Sequence, residues 1–436
     1  MTRMQDNPAP SSPPSSRRRR LLRGLVLVSV GLLLAAAIIG WLLQPERAGP
    51  YLLRQVGDAL GLQLRADAVD YRLRGTPQLV LSGMEARRPQ DPRPILVARR
   101  VFVSLPWRTL RSRGADLTVQ RVELDAPVLD LPALQRWLAT RPPGGETRIP
   151  VLAEGMRIRD GRIDNDDWRI EDLSIDLPSL HPERLVRARV RGRYVDPPLS
   201  VPADLAIALA HPRRALAGQP SGLAAVGGLA VAGDGWQVPA RVFLAGPLRV
   251  GKDSALLKPA RIGIAGRYRS QGSDLGFRLG LHGPMAFNNA TWRLVPLQLV
   301  LDGDDTIPDA QARGSLSFGR RLRIHLDGRI ADWPEAWPAL PPPLSDSTSP
   351  LPFALDYAGG FDFAAPTRLD LRRDSTRFAA RFRLPDVLAW LEADASGSPL
   401  PPLAGSLASP RIELAGATLH GVEIELSDPD LPADAR

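Results

Sequence analysis

The residues that could do chemistry in this chain are few, and each group of them lacks a member. Gly246-Pro247-Leu248-Arg249-Val250-Gly251-Lys252-Asp253 comes within one residue of a phosphate-binding loop. Asp253 stands where a Ser or Thr hydroxyl would hold Mg²⁺, and its carboxylate repels phosphate. Pro259 interrupts the helix such a loop needs, so a hairpin turn is the better reading. Asp160, Asp164, Asp166 and Asp167 are acidic enough to attract Ca²⁺ but lack the EF-hand spacing and its terminal Glu. Asp-Asn is a favoured turn pair, and a turn is expected there. His181, His211, His282, His325 and His420 are scattered, with no pair at ligand spacing on a helix. The sequence holds no cysteine, which excludes a thiol nucleophile, a disulfide, a zinc-thiolate site and a lipidated Cys. No Gly-x-Ser-x-Gly elbow occurs, and Asn289-Ala290-Thr291 is a glycosylation sequon that means little if the source is bacterial. The expectation is a protein that is not an enzyme and uses neither cofactor nor metal.

What the chain does have is strands with one apolar side. Val186, Ala188, Val190, Gly192 and Tyr194 alternate with Arg187, Arg189, Arg191 and Arg193. Side chains of a strand point to opposite faces with period two, so this segment is greasy on one face and cationic on the other. The pattern returns at Leu322, Ile324 and Leu326, at Phe378, Ala380 and Phe382, and at Val422, Ile424 and Leu426. Such strands must hide a long apolar surface against something.

The net charge is +9, carried almost wholly by Arg. A basic balance fits nucleic acid or anionic headgroups, and topology decides between them. Gly24 to Leu43 is 20 residues without a charge, which as a helix spans roughly 30 Å, one bilayer core. Arg17, Arg18, Arg19, Arg20 and Arg23 precede it, while only Glu46 and Arg47 follow closely. The positive-inside rule keeps the N-terminus in the cytoplasm and exports the rest, which removes nucleic acid as a partner. A cleaved signal peptide, with Ala35 to Ala37 near its end, is the rival reading, but its apolar core would be shorter, about 7–15 residues.

The expected organisation is a disordered tail over 1–20, a transmembrane helix over 21–43 and an N-terminal unit over 44–140. A β-sheet unit over 150–337, a Pro-rich linker over 338–352 and a C-terminal β unit over 353–436 follow. Helices are predicted at Tyr51 to Leu62, Leu131 to Ala139 and Pro385 to Ala393. The parity change between Leu117, Val119 and Val122, Leu124 predicts a bulge or tight turn near Arg121. No residue-level repeat is read from the sequence.

The order of features in the first third resembles the AsmA-like family of Gram-negative envelope proteins. A membrane anchor leads to a short helix at Tyr51 to Leu60. Pro77-Gln78-Leu79-Val80-Leu81-Ser82-Gly83-Met84, then Ala98 to Leu110 and Leu117 to Leu129, complete the likeness, which covers roughly residues 20–180. It implies a single-pass inner-membrane protein with a periplasmic, elongated, taco-like β-sheet enclosing an apolar trough. The implied roles are movement of phospholipid toward the outer membrane or support of outer-membrane assembly.

The physics leaves two ways to cover one-faced strands when helices are scarce: a sandwich, the ordinary outcome, or a curled trough. In a trough, acyl chains complete the burial; exposing about 16 carbons to water costs on the order of 12 kcal/mol at ~0.8 kcal/mol per CH₂. Roughly 25 strands at about 4.8 Å each would make a path near 120 Å. The expected fold is therefore mainly β, an antiparallel curled groove after one transmembrane helix, with few short helices. Candidate groove residues are Leu79, Leu81, Val101, Val103, Leu117, Val119, Val122 and Leu124. The expected partners are phospholipid, the inner membrane and an envelope protein, and the rival role is a non-transporting envelope scaffold for outer-membrane or secretion-system proteins. Val103→Asp is expected to strip bound lipid from the purified protein while leaving membrane insertion intact, as measured by its lipid content.

Overall fold

A computed structural model describes residues 53–431, apart from 55, 59, 113–114, 141–148, 234, 252–253, 271–273, 305–306, 335–348, 393–400, 415–416 and 429–430. The apolar segment Gly24 to Leu43, its flanking arginines, the tail over 1–20 and most of the Pro-rich linker lie outside the described residues. Among the described residues no helix is long and apolar enough to cross a membrane.

The fold is mainly β, with 65% of residues in strands and 10% in helices, arranged as a large curled antiparallel sheet. β1 (Gln63–Arg65) and β2 (Ala68–Arg72) both lie against β3 (Gln78–Arg87), which pairs with β4 (Pro94–Ser104). After α1 (Trp107–Arg111) come β5 (Thr118–Val119), β6 (Arg121–Asp125) and β7 (Val128–Asp130), then α2 (Leu131–Ala139), β8 (Val151–Leu152) and β9 (Met156–Asp164). β6 and β7 are antiparallel to β4 but parallel to β9. A parallel neighbour needs a crossover connection, and α2 lies in it. Asp130 caps α2 by accepting from the Ala133 amide at 2.7 Å, and Pro132 sits in its first turn. The Trp137 indole donates to the Leu60 carbonyl at 3.1 Å, tying α2 to the helical residues before β1. A second, two-stranded parallel sheet joins β5 and β8.

From β9 onward the sheet is a simple meander. β10 (Arg169–Leu177), β11 (Val186–Asp196), β12 (Leu199–Leu209), β13 (Ser221–Gly233), β14 (Trp236–Val250), β15 (Ser254–Arg269), β16 (Asp274–Asn288) and β17 (Thr291–Gly303) each pair with the next, antiparallel. α3 (Pro212–Leu216) lies between β12 and β13. β18 (Ala310–Phe318), β19 (Leu322–Ile330), β20 (Leu351–Gly359), β21 (Thr367–Arg373) and β22 (Thr376–Phe382) continue it. α4 (Leu384–Glu392) precedes β23 (Ala404–Leu414) and β24 (Ala417–Leu426). β19 pairs with β20 along its whole length, from Leu322↔Gly359 to Ile330↔Leu351, so one sheet runs across the Pro-rich segment. From β2 to β24 the ladder has twenty strand positions, about 90 Å at ~4.8 Å per spacing. That is shorter than the path expected from sequence, because several apolar runs form long single strands.

Curling has a local cause. β14 to β17 are 13 to 16 residues long, and each carries a proline in mid-strand. Proline cannot donate to a ladder, so it is tolerated only at a bulge or edge. Here register shifts at Lys258-Pro259 and Val295-Pro296 face Gly246-Pro247 and Gly283-Pro284 on neighbouring strands. A side chain at Gly246 would run into the Pro259 carbonyl oxygen, and one at Gly283 into the Pro296 oxygen. The aligned Gly-Pro and bulged Pro positions make a crease across four strands, which is how bulges and glycines bend sheets. Farther along, Arg320 in the β18–β19 turn lies 3.8 Å from Asp167 in the β9–β10 turn. β10 and β18 are eight spacings apart, about 38 Å along the sheet. This exposed pair contributes little energy, but it requires the sheet to roll on itself.

Gly283→Val is expected to force β16 from β17 and to lower the melting temperature by several degrees, equivalent to about 2 kcal/mol or more. Gly280→Val, three residues away where a Cβ would make only an ordinary contact at 3.9 Å, is the comparison; equal melting temperatures for the two variants would refute the crease.

Candidate functional site

Cross-strand partners in register point to the same face of a sheet. Followed strand by strand, Leu81, Val101, Leu124, Ile158, Ile175, Val190, Leu205, Gly227, Val242, Ile264, Leu279, Leu301, Ala310, Ile330 and Leu351 form one unbroken lane. No position in it is charged or polar. A parallel lane one pleat over begins at Leu79, Val103, Val122 and Met156.

Coverage of this face differs along the sheet. In β15 to β19, Leu257, Leu294 and Leu297 are 1–2% exposed and pack with Ala260, Leu281, Met285, Ala312 and Leu326. Leu351 and Leu371, with Leu407 and Ile412, form a second buried cluster toward β23. At the other end Leu53, Leu81, Ala98 and Val101 make a third. Between them, Ile158, Ile175, Val190, Leu205, Ile207, Ala225 and Val242 are only half-buried and belong to none of these clusters. The same strands also hold Leu173, Leu177 and Leu199 at 8–9% exposure, and Leu223, Leu244 and Leu248 pack on the β15–β19 cluster, so the candidate site is the more open, half-buried part of β9 to β14.

Aromatic rings edge the apolar face. Trp168 packs on Tyr194 with ring centres 5.6 Å apart and Trp236 on Tyr268 at 6.4 Å, all at the turn-side ends of their strands. At the opposite margin Phe287, Trp292 and Phe318 follow one another at 4.9 and 6.3 Å. Such rings suit a boundary between apolar contents and water.

Six sequence candidates, Leu79, Leu81, Val101, Val103, Val122 and Leu124, share this face at its N-terminal end. Leu117 and Val119 do not join them: Val119 lies in the separate β5–β8 pair opposite Leu152, and Leu117 immediately precedes β5. The bend at Gln120 supplies the parity change, with its amide donating to the Ser104 carbonyl at 2.8 Å. Leu79, Leu81, Val101, Val103 and Leu124 pack with Leu53 in a closed cluster, so Val103→Asp would disturb that unit's folding as well as any lipid. The open positions of β9 to β14 were missed as site residues although their alternation was visible.

The other chemical candidates take structural places. Gly246 to Val250 is the end of β14, with the hairpin turn after it; Lys252 and Asp253 lie outside the described residues. Asp164 pairs with Arg162 at 2.6 Å and closes the β9–β10 turn. Asn289 and Ala290, both with positive φ, form the β16–β17 hairpin turn. His211 contacts the Glu183 carbonyl oxygen through Nδ1 at 2.9 Å.

The polar face is a ladder of ion pairs. Asp204 accepts from Arg189 at 2.7 Å and from Arg191 at 3.0 Å, and the Arg189 bond is the main reason its pKa falls to about 2. His325 is held between Asp356, 2.6 Å from Nδ1, and Asp327, 3.2 Å from Nε2. The hydrogen bond to Asp356 raises the imidazole above its ordinary value. No family model, curated protein or solved structure matches this chain.

A raised histidine pKa stabilises the fold below the unfolded value of about 6.5 and the contribution fades as pH climbs through the folded pKa. His325→Gln should therefore lower the melting temperature more at about pH 5.5 than at about pH 8.5. A deficit that stays constant across that range would show that the β19–β20 seam does not depend on the charged ring.

Proposed function

We propose that this chain is an inner-membrane-anchored periplasmic protein of the AsmA-like kind. Its open apolar face shelters phospholipid acyl chains, and it thereby supports phospholipid transport to, or assembly of, the outer membrane. The observation that carries the reading is the half-buried lane of β9 to β14. Leaving so many adjacent Ile, Val and Leu side chains only half-covered costs about 25 cal/mol for each Å² still in water. An acyl chain laid across the strands removes that cost on both sides. The aromatic margins suit the water boundary of such a site, and the uncharged segment Gly24 to Leu43 behind its arginines supplies the anchor. The family likeness adds the envelope setting. The chemistry required is burial alone, so the protein acts as a non-catalytic carrier without a cofactor.

A second reading has its own observation. β15 to β23 fill their apolar face with their own leucines, as a scaffold for outer-membrane or secretion-system proteins would. In that case the open stretch is a protein-docking surface.

Mass spectrometry of lipids held by the full chain after purification separates the two. Phospholipid is expected in the wild type, with a loss of about tenfold or more in Leu205→Asp, since a buried carboxylate opposes the tails by more than 1.4 kcal/mol. Leu205 lies outside the packed clusters, so the variant should keep its melting temperature. Equal lipid in a folded Leu205→Asp protein, or a co-purifying protein with no lipid, would favour the scaffold.

A further inference from the structure

On the opposite face of the same strands, an open cleft of about 870 Å³ follows the lane Asp204, Gly228, Arg241, Ala265, Arg278 and Asp302. Its volume is in the range of small-molecule sites, about 300–1,000 Å³. The charges at its two ends neutralise one another. Asp204 is taken by Arg189 and Arg191, and Asp302 by Arg278 at 3.1 Å. Arg267, on the next lane, is engaged by Asp274 at 2.7 Å.

Arg241 is different. Its cross-strand partners are Gly228 on β13 and Ala265 on β15, neither of which can reach a guanidinium. Among the described residues it makes no hydrogen bond or ion pair. The pattern along the lane is thus a compensated pair, a gap, one uncompensated cation, a gap and another compensated pair. A guanidinium so placed offers its fork to a planar or tetrahedral anion.

One pleat away lies a second oddity of this otherwise charged face. Val226 and Phe243 are cross-strand partners and are 54% and 46% exposed. Phe243 continues into Gly263 and Gly280, where an added Cβ would meet nothing nearer than 3.9 Å, and then Val300, 53% exposed. An uncovered aliphatic and aromatic strip runs beside the unpaired Arg241. Neither feature is needed by the apolar groove, which uses the other parity of the same strands.

We infer that this outer cleft and the strip beside it form a binding site for an anionic amphiphile, with the anionic headgroup in the cleft on Arg241 and the apolar part laid outside it on Val226 and Phe243. Charge complementarity selects the headgroup: Asp204, Asp302 and Asp304 line the same cleft and are engaged by other arginines, and Arg241 is the cation of the lane left for an anion. The flat strip of Phe243, Gly263 and Gly280 leaves room for a chain or ring to lie against the backbone.

Calorimetric titration of the full chain with hexyl phosphate, inorganic phosphate and hexanol tests the inference. Hexyl phosphate should bind at least roughly tenfold more tightly than either fragment, since it uses both the charge-assisted bond and about six carbons of apolar contact. Arg241→Gln should weaken hexyl phosphate roughly tenfold, and Arg241→Lys should weaken it less. Phe243→Ser should weaken hexyl phosphate about threefold to tenfold and leave inorganic phosphate unchanged. Leu205→Asp, which alters the groove, should leave all three titrations as in the wild type, so that failure of this site and failure of the groove reading appear in different variants. Wild-type affinity in Arg241→Gln, equal affinity for hexyl phosphate and inorganic phosphate, or loss of binding only in Leu205→Asp would each overturn the inference.

Discussion

A sheet only one layer thick, apolar on one side, cannot be stable flat. Every other feature of this protein follows from that constraint. Apolar sheet faces are ordinarily buried by a second sheet or by helices, and the described helices are short: the longest, α2 and α4, have nine residues each. The meander from β9 to β24 keeps the same parity inward across each hairpin, because a one-residue slip would turn every leucine outward. The remaining route to burial is curvature. The Gly-Pro and bulged-Pro crease supplies it in β14 to β17, and beyond the crease the leucines of β15 to β19 close on one another. Before it, Pro202 in β12 pairs with Arg193 without a register shift, no Gly-Pro crease forms, and much of the face is only half-buried.

Much of this was legible in the sequence. The strict alternation of β11, β19 and β22 specified a mainly β chain with one apolar face, and the short helix at Leu131 to Ala139 follows from Asp130, Pro132 and apolar spacing. The parity change before Val122 correctly marked a break in pairing. The parallel junction of β6 and β7 with β9 was not legible, because apolar pattern fixes faces and not neighbours. Leu117 and Val119 went astray for the same reason: two apolar residues in alternation look alike whether they join the large sheet or pair with β8.

The crease left a signal that was overlooked. Gly246-Pro247 and Pro259 recur as Gly283-Pro284 and Pro296, a shift of 37 positions. Read singly, Gly246-Pro247 looked like the start of a turn or a phosphate loop. Read as a pair, the two Gly-Pro sites announce two copies of a bent hairpin, since proline in mid-strand demands a bulge and glycine admits the close approach of the next strand. The arginines were also read too uniformly. Most of them meet a carboxylate on the same or the adjacent strand, as Arg189 meets Asp204 and Arg267 meets Asp274, and such exposed pairs mainly set register and solubility. The distinction between Arg278 and Arg241 depends on which residues fall opposite, and register is a property of the fold.

Length decides what kind of apolar path this is. The open stretch from β9 to β14 is six strands, five spacings, or about 24 Å. One leaflet of a bilayer's hydrocarbon core is about 15 Å, half of the roughly 30 Å total. On the proposed reading, tails about 15 Å long would fit within the stretch with roughly 9 Å over. Past β15 a tail would have to displace Leu257, Leu294 and Leu297, each 1–2% exposed, and displacing packed leucines costs about 2–5 kcal/mol apiece by the measure of large-to-small core substitutions. A continuous conduit along all twenty strand positions is thus opposed by the protein's own core. On the proposed lipid reading, the open stretch would hold the tails of one lipid at a time, with the packed half as the wall against which they end.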